Sequence, residues 1–298
     1  MTTGVLIMAH GSPARPDEIT AFYTRIRRGR PPDAAQLAEL EGRYRAIGGV
    51  SPLAQRTRAQ VGAVRVELQR RAPGRYAVTF GAKHTDPLVE KAAVELAAAG
   101  HARVVGLVLT PHASSMGSQE YLDRAAKELG ATPFVAIGAW YAQPAFVELL
   151  AARVTTALNG VRGTGRVIFT AHSLPERIRR SGDTYPEQLA ESAQLVARIA
   201  GLDEWEVAWQ SAGRTGEPWL GPDVRDVVRR LGADDVTDAV VVCPIGFVAD
   251  HLEVLYDLDV ELAHVATDAG LEYVRTASLN DDPAFVKVLA DVITAADT

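Results

Sequence analysis

Two histidines close apolar runs in this chain: His10 ends "VLIMAH" and His172 ends "VIFTAH". A neutral imidazole in such a place can move a proton near neutral pH or hold a divalent metal, and a nearby carboxylate helps with both. The candidate carboxylates lie in "FVADHLEVLYDLDVELAH", where Asp250, Glu253, Asp257 and Glu261 follow at intervals of three, four and four. A helix over 249–262 would stack these four along one face and leave Leu252, Val254, Leu255 and Leu258 to anchor it in a core. Like charges at that spacing repel. Taken alone, the row reads either as a solvated acidic face or as a path for a cation. A lone histidine after a strand is more often a hydrogen-bonded structural residue than a catalyst. An imidazole and a carboxylate, both near strand ends, change that balance.

Other stretches add polar chemistry. "FYTRIRRGRPP" and "RYRAIGGVSPL" bring Arg25, Arg27, Arg28, Arg30, Arg43 and Arg45 into an acidic chain. They read as a solvated basic face or as a margin that receives the carboxylates of an anionic ligand, since guanidinium offers paired donors in one plane. "PHASSMGSQEY" supplies His112, Ser114, Ser115 and Tyr121, mostly as caps and turns. "QSAGRTGEPWLGPD" reads as a tight connection, with Asp223 capping the helix that "VRDVVRRL" begins. No Gly-rich phosphate fingerprint follows a strand in the proper register.

The elements that must position these residues alternate. Strand-length apolar runs at 4–9, 76–82, 103–110, 133–139, 166–171, 206–210, 239–244 and 271–276 are separated by segments of helical period, among them 52–71, 87–99, 114–129, 184–200 and 281–296. That alternation is the mark of α/β architecture with parallel sheets, about four strands to each half. "WYAQPAFVELL", with proline near a helix start, makes the crossing between halves. Each half opens on a strand ending in Ala-His with a serine close behind. Ligands of open parallel sheets bind outside the carboxyl ends of the strands, where both histidines fall.

The bulk numbers agree with a globular chain. At 298 residues it exceeds what one core usually covers, and 47% hydrophobic with 23% charged residues is the balance of a folded protein. The net charge of -6 argues against a nucleic-acid partner. The single cysteine, Cys243, rules out an intramolecular disulfide and an iron–sulfur cluster held by several thiolates of this chain. The start "MTTGVLIMAHGS" reads as a first strand and not a leader, and no run approaches the roughly 20 apolar residues of a spanning helix. These features fit a cytoplasmic protein without stable membrane insertion, and no exposed heptad announces a dimer, so a monomer is expected.

Over essentially the whole chain the residues resemble the ferrochelatases. "AHSLPE", "PWLGPD" and "FVADHLEVLYDLDVE" carry the resemblance, supported by "YTRIRRGRPP" and "RYRAIGGVSPLAQ". The pattern is most similar to the soluble form of monoderm bacteria, which metallates coproporphyrin III to coproheme in heme biosynthesis. The resemblance implies two similar Rossmann-like domains, 1–141 and 142–298, with a porphyrin-binding cleft between them and a carboxyl-terminal helix, about 281–296, folding back on the first. It implies His172 and Glu253 as catalytic residues, and His10, Arg27, Arg43, Tyr44, Ser51 and Tyr121 as porphyrin contacts. His172, Glu253, His10, Asp257 and Glu261 are the implied metal contacts. Ferrous iron is then a substrate, with no further cofactor, and a coproheme decarboxylase is the expected transient partner. Close relatives carry tyrosine where this chain has His10, which bears on how product iron is held and on metal choice. Rival readings are a ferrochelatase for protoporphyrin IX, a cobalt or nickel chelatase for a related tetrapyrrole, and a non-enzymatic heme carrier.

Overall fold

In the computed structural model, which describes residues 2–234 and 236–298, the apolar runs pair into two four-stranded parallel sheets. The first has the order β2-β1-β3-β4, from β1 (Thr3–Ala9), β2 (Tyr76–Ala82), β3 (Arg103–Val108) and β4 (Phe134–Ile137). The second repeats it as β6-β5-β7-β8, from β5 (Gly165–His172), β6 (Trp205–Gln210), β7 (Ala239–Cys243) and β8 (Glu272–Arg275). Parallel sheets of this kind carry helices on both faces, so their inner strands are apolar throughout. β1 and β7 are buried at every position. His10 and His172 thus both stand at the carboxyl ends of inner strands: His10 follows β1 directly and His172 is the last residue of β5.

Several strands are shorter than their apolar runs. The run 133–139 keeps only Phe134–Ile137, because as an edge strand it has one partner, Val104–Leu107 of β3. Two helices, α1 (Ile19–Ile26) and α2 (Ala34–Ala46), lie where no helical period was read. In α2 only Tyr44 is buried, so there is no apolar stripe to read, and its start is set by a reciprocal cap between Asp33 and Gln36. The remaining helices are α3 (Leu53–Arg71), α4 (Val89–Ala98), α5 (Ser118–Leu129), α6 (Pro144–Leu158), α7 (Tyr185–Ala200), α8 (Val224–Gly232), α9 (Ala263–Asp268) and α10 (Pro283–Ala296). Asp223 caps α8 as expected, accepting from the Arg225 N–H at 2.9 Å.

The chain divides into two compact units. Unit 1 takes Met1–Trp140, Ala249–Leu252 and Leu279–Thr298; unit 2 takes Tyr141–Val248 and Glu253–Ser278. In unit 1, α10 packs on α3, burying Phe285, Val288, Leu289 and Ile293 near Val61, Val64 and Leu68. In unit 2, Val224, Val227, Val228 and Leu231 of α8 share a core with Ile168, Val240, Val242, Val254, Leu258 and Leu262.

Candidate active site

In unit 2, the end of β5 places His172 opposite Gln210, the last residue of β6. The two sequence motifs beyond these strands interlock. Ser173 donates its N–H to the Gln210 carbonyl at 2.8 Å and its hydroxyl to the Leu220 carbonyl at 2.8 Å, while Leu220 N–H returns to the Leu174 carbonyl at 2.9 Å. "AHSLPE" and "PWLGPD" are therefore two sides of one hydrogen-bonded turn. A third loop closes on the same strand end. Gly246 donates to the Thr170 carbonyl at 3.1 Å, and a Cβ there would stand 2.6 Å from the Ala171 Cβ, so only glycine lets the backbone approach.

Within that frame His172 Nδ1 lies 2.9 Å from Glu253 Oε2. An ionised carboxylate only accepts, so Nδ1 carries the proton and the ring's lone pair is on Nε2. Both side chains are 35% exposed, which leaves them within reach of a ligand. Burial lowers the proton affinity of His172, but the charge and hydrogen bond of Glu253, with the charge of Asp257, outweigh it and raise the pKa above its usual value. Two neighbours missed by the sequence analysis complete the support. Gln210 donates its amide to the Glu253 carbonyl at 3.2 Å, and Tyr185 donates its hydroxyl to the His172 carbonyl at 3.1 Å while its ring meets Trp209 at 5.7 Å. Gln210 and Trp209 lie in a strand already recognised as such; position at the carboxyl end of β6 was the available signal.

The carboxylate row differs from the expected helix. Glu253–Leu262 forms a π-helix, with turns closed between residues five apart, leading into α9. Val254, Leu258 and Leu262 are fully buried, and Glu253, Asp257 and Glu261 each stand one position ahead of them, so both rows keep the same spacing. Asp257 is itself buried at 9% exposure and accepts a short hydrogen bond from Ser211. Ser211 holds this place with a φ of 59°, a left-handed conformation costly for serine. Arg225 donates its guanidinium to the Asp223 carboxylate at 2.9 and 2.7 Å, and that bond first, then the charges of Asp223 and Glu261, raises its proton affinity against burial. Asp250 leaves the row: it precedes the π-helix and belongs to unit 1, where its N–H donates to Asn280 Oδ1 at 3.0 Å and its Oδ2 accepts from Asn280 Nδ2 at 2.8 Å. The expectation of four stacked carboxylates is thus corrected to three.

Unit 1 holds the remaining residues. Arg27, just past α1, stands over the Tyr23 ring at 5.4 Å, and its Nε donates to the Arg30 carbonyl at 3.3 Å. Arg43 on α2 pairs with Glu39 at 3.3 Å. Ser51 is buried, and its hydroxyl accepts from the Leu53 N–H at 3.3 Å, starting α3. Tyr44 is buried at the end of α2, and Tyr121 is buried in a cluster with Met8, Val89 and Leu122, where burial raises its pKa. His10 is exposed, with Nδ1 3.1 Å from the Gly11 carbonyl. Its ring stands 4.7 Å from that of His84, a residue that the sequence analysis did not single out. Burial, then the neighbouring His10 imidazole and the cations Lys83, Arg124 and Arg25, press the His84 pKa down to about 3. Cys243 is buried and its thiol is pushed up to about 12 by burial, which makes it inert. No helix among the described residues is long and apolar enough to cross a membrane.

Two parallel sheets of one strand order, with a hydrogen-bonded imidazole and carboxylate at the end of an inner strand, define an α/β protein built for proton or metal chemistry. A family model described as Ferrochelatase matches residues 2–297, and the chain belongs to that family of metal-inserting enzymes. It is 42% identical over 298 residues to the coproporphyrin III ferrochelatase of Bacillus subtilis (strain 168), covering 97% of this chain and 96% of that one. The coproporphyrin III ferrochelatase of Geobacillus thermodenitrificans is 41% identical over 300 residues, covering 98% and 95%. The ferrochelatase of Herpetosiphon aurantiacus is 42% identical over 300 residues, covering 98% of each. Of solved structures, SirB from Bacillus subtilis with Fe3+ has a TM-score of 0.64 at 12% identity, covering 99% and 96%. CbiX, the terminal enzyme for siroheme biosynthesis in denitrifying bacteria, has a TM-score of 0.57 at 17% identity, covering 98% and 99%. At such identities these two speak for the fold alone.

Proposed function

We propose that this chain inserts ferrous iron into coproporphyrin III to give coproheme, with His172 as the proton acceptor and Glu253 as the carboxylate that orients it. The carrying observation is the 2.9 Å contact that leaves His172 Nε2 as the basic nitrogen. The substrate rests on relatives: two coproporphyrin III ferrochelatases are 41–42% identical across 97–98% of the chain. Metallation replaces two pyrrole protons with one Fe2+, so the site must take up protons and help the cation shed water. His172 Nε2 takes a pyrrole proton, and the resulting imidazolium is stabilised by Glu253. Asp257 and Glu261, one and two turns further along the π-helix, carry protons away or lead the cation in, their shared negative field favouring a divalent ion.

Arg27 and Arg43 receive propionates of the ring, and Tyr44, Ser51 and Tyr121 are the further proposed porphyrin contacts. Binding contacts remote from the pyrroles can supply the roughly 1–5 kcal/mol needed to bend the macrocycle and turn its lone pairs to one face. His10 is the proposed axial contact to the product iron. On this reading the protein works in the cytoplasm as a monomer and passes coproheme to a decarboxylase.

Anaerobic turnover with ferrous iron on coproporphyrin III and on protoporphyrin IX tests the reading, since the first ring carries four propionates and the second two. Faster metallation of coproporphyrin III is expected. Equal or greater turnover of protoporphyrin IX overturns the substrate assignment, and heme binding without turnover of either overturns the enzyme.

A further inference from the structure

Apart from the His172–Glu253 pair of unit 2, unit 1 contains a place where two imidazoles meet. The parallel ladder pairs Ala9 with Ala82, and it continues past the strands: Lys83 N–H donates to the Ala9 carbonyl at 2.9 Å and His84 N–H to the His10 carbonyl at 3.1 Å. His10 and His84 are therefore neighbours by backbone pairing, and their rings lie 4.7 Å apart with planes inclined at 56°. Gly11, at φ 83°, lets the two loops close; a Cβ there would collide with the Thr85 hydroxyl. Phe22 stands near edge-on to both rings, 6.0 Å from His10 and 6.4 Å from His84, and walls one side.

The proton placement suits a ligand set. His10 Nδ1 stands 3.1 Å from a carbonyl oxygen that can only accept, so the lone pair of this ring is on Nε2. Imidazoles that bind metals commonly donate their other nitrogen in this way, which fixes tautomer and ring orientation. Of the nearby cations, Lys83 pairs with Glu120 at 2.7 Å and Arg124 with Glu90 at 2.6 Å, while Arg25, 3.9 Å from Asp86, donates to the His84 carbonyl at 3.1 Å. A dication at the ring pair therefore meets no uncompensated positive side chain from Lys83 or Arg124.

We propose that His10 and His84 form a two-imidazole site for a divalent transition metal of the zinc and cobalt kind, with water completing its coordination. Imidazole nitrogen suits such ions over the hard cations. The site goes beyond the metallation assigned to His172 and Glu253 and needs no porphyrin, so the two readings can fail separately.

Cobalt(II) titration of the full chain carrying His172→Ala, without porphyrin, tests it through the visible ligand-field absorption of the bound ion. Saturable binding is expected, with affinity weakened roughly tenfold or more when either His84→Ala or His10→Ala is added, a loss at least that of disturbing an outer-shell partner. Should either substitution unfold the chain, the unsubstituted protein supplies the second measurement: cobalt should shift and broaden the ring-proton NMR signals of both His10 and His84. Affinity unchanged by His84→Ala, or perturbation confined to His10 or to His172, overturns the proposal.

Discussion

Glu253 follows His172 by 81 positions, yet its carboxylate stands 2.9 Å from the imidazole Nδ1. The pair is held from both backbones, through Tyr185 on the His172 carbonyl and Gln210 on the Glu253 carbonyl. The contact leaves the lone pair of the neutral ring on Nε2. His172→Ala is expected to abolish metallation while leaving coproporphyrin binding within about threefold, because it removes the acceptor needed in the transition state and few ground-state contacts. Fluorescence titration of the ring beside a stopped assay separates the two; lost binding with normal turnover would make His172 structural.

Acidity should report on the same pair. As the proposed proton acceptor His172 must be neutral, and although burial lowers its pKa, the charge and hydrogen bond of Glu253 with the charge of Asp257 outweigh that and raise it above the usual histidine value. Activity is therefore expected to fall as pH drops through a point higher than that of an ordinary histidine. Glu253→Gln should move that acid limb to lower pH, visible in the rate–pH profile. The linked stability has the opposite sense: a raised folded pKa favours folding most below the unfolded pKa and loses that contribution as pH rises through the folded one.

Ser211 offers a way to separate strain from hydrogen bonding. Ser211→Ala keeps the left-handed backbone and removes the donor to buried Asp257, so a loss of about 1–3 kcal/mol is expected. Ser211→Gly removes the same donor but tolerates φ 59°, and should be less destabilised than the alanine variant by about 0.5–1 kcal/mol. Urea unfolding of both variants reads the difference; equal losses would mean that the backbone there carries no strain.

At Gly246 the concern is space. Its Cβ position lies 2.6 Å from the Ala171 Cβ and 3.0 Å from the Ala171 Cα, one residue before His172. Gly246→Val should cost about 1–3 kcal/mol by overpacking and lower the single-turnover rate by displacing the histidine. A stable variant of normal rate would show that this loop does not position the ring.

His10→Tyr replaces a neutral nitrogen donor with a phenol. If His10 touches product iron, the absorption spectrum of bound coproheme should change on this substitution, and the wild-type spectrum should be that of nitrogen ligation. An unaltered spectrum removes His10 from the metal.

The architecture was legible because parallel sheets bury whole strands. "AVVVC" and "VLIMA" can do little else, and the eight runs each became a strand. His172 and Glu253 were legible as chemical types at strand and helix ends, and the resemblance named them. The π-helix was not legible, since residues spaced by four fit an α-helical reading as well as a wider one. Asp250 was misassigned for that reason: it lies inside the periodic stretch, but its bonds to Asn280 draw it into unit 1. Gln210, Ser211 and Tyr185 act through single hydrogen bonds to groups distant in the chain, and no local pattern encodes such a partner. His84 escaped notice because "GAKHTDP" follows its strand without the Ala-His echo; only the pairing of β1 with β2 reveals its neighbour.

Because α10 packs on α3, the amino-terminal sheet owes part of its shelter to a helix far along the chain. During synthesis the first 140 residues emerge long before Phe285 and Leu289 exist, so that half must wait, incompletely covered, for its partner to leave the ribosome. A messenger truncated after residue 278 would then yield a protein that carries His172 and Glu253 but lacks the α10 cover of unit 1, leaving that unit open to proteolysis.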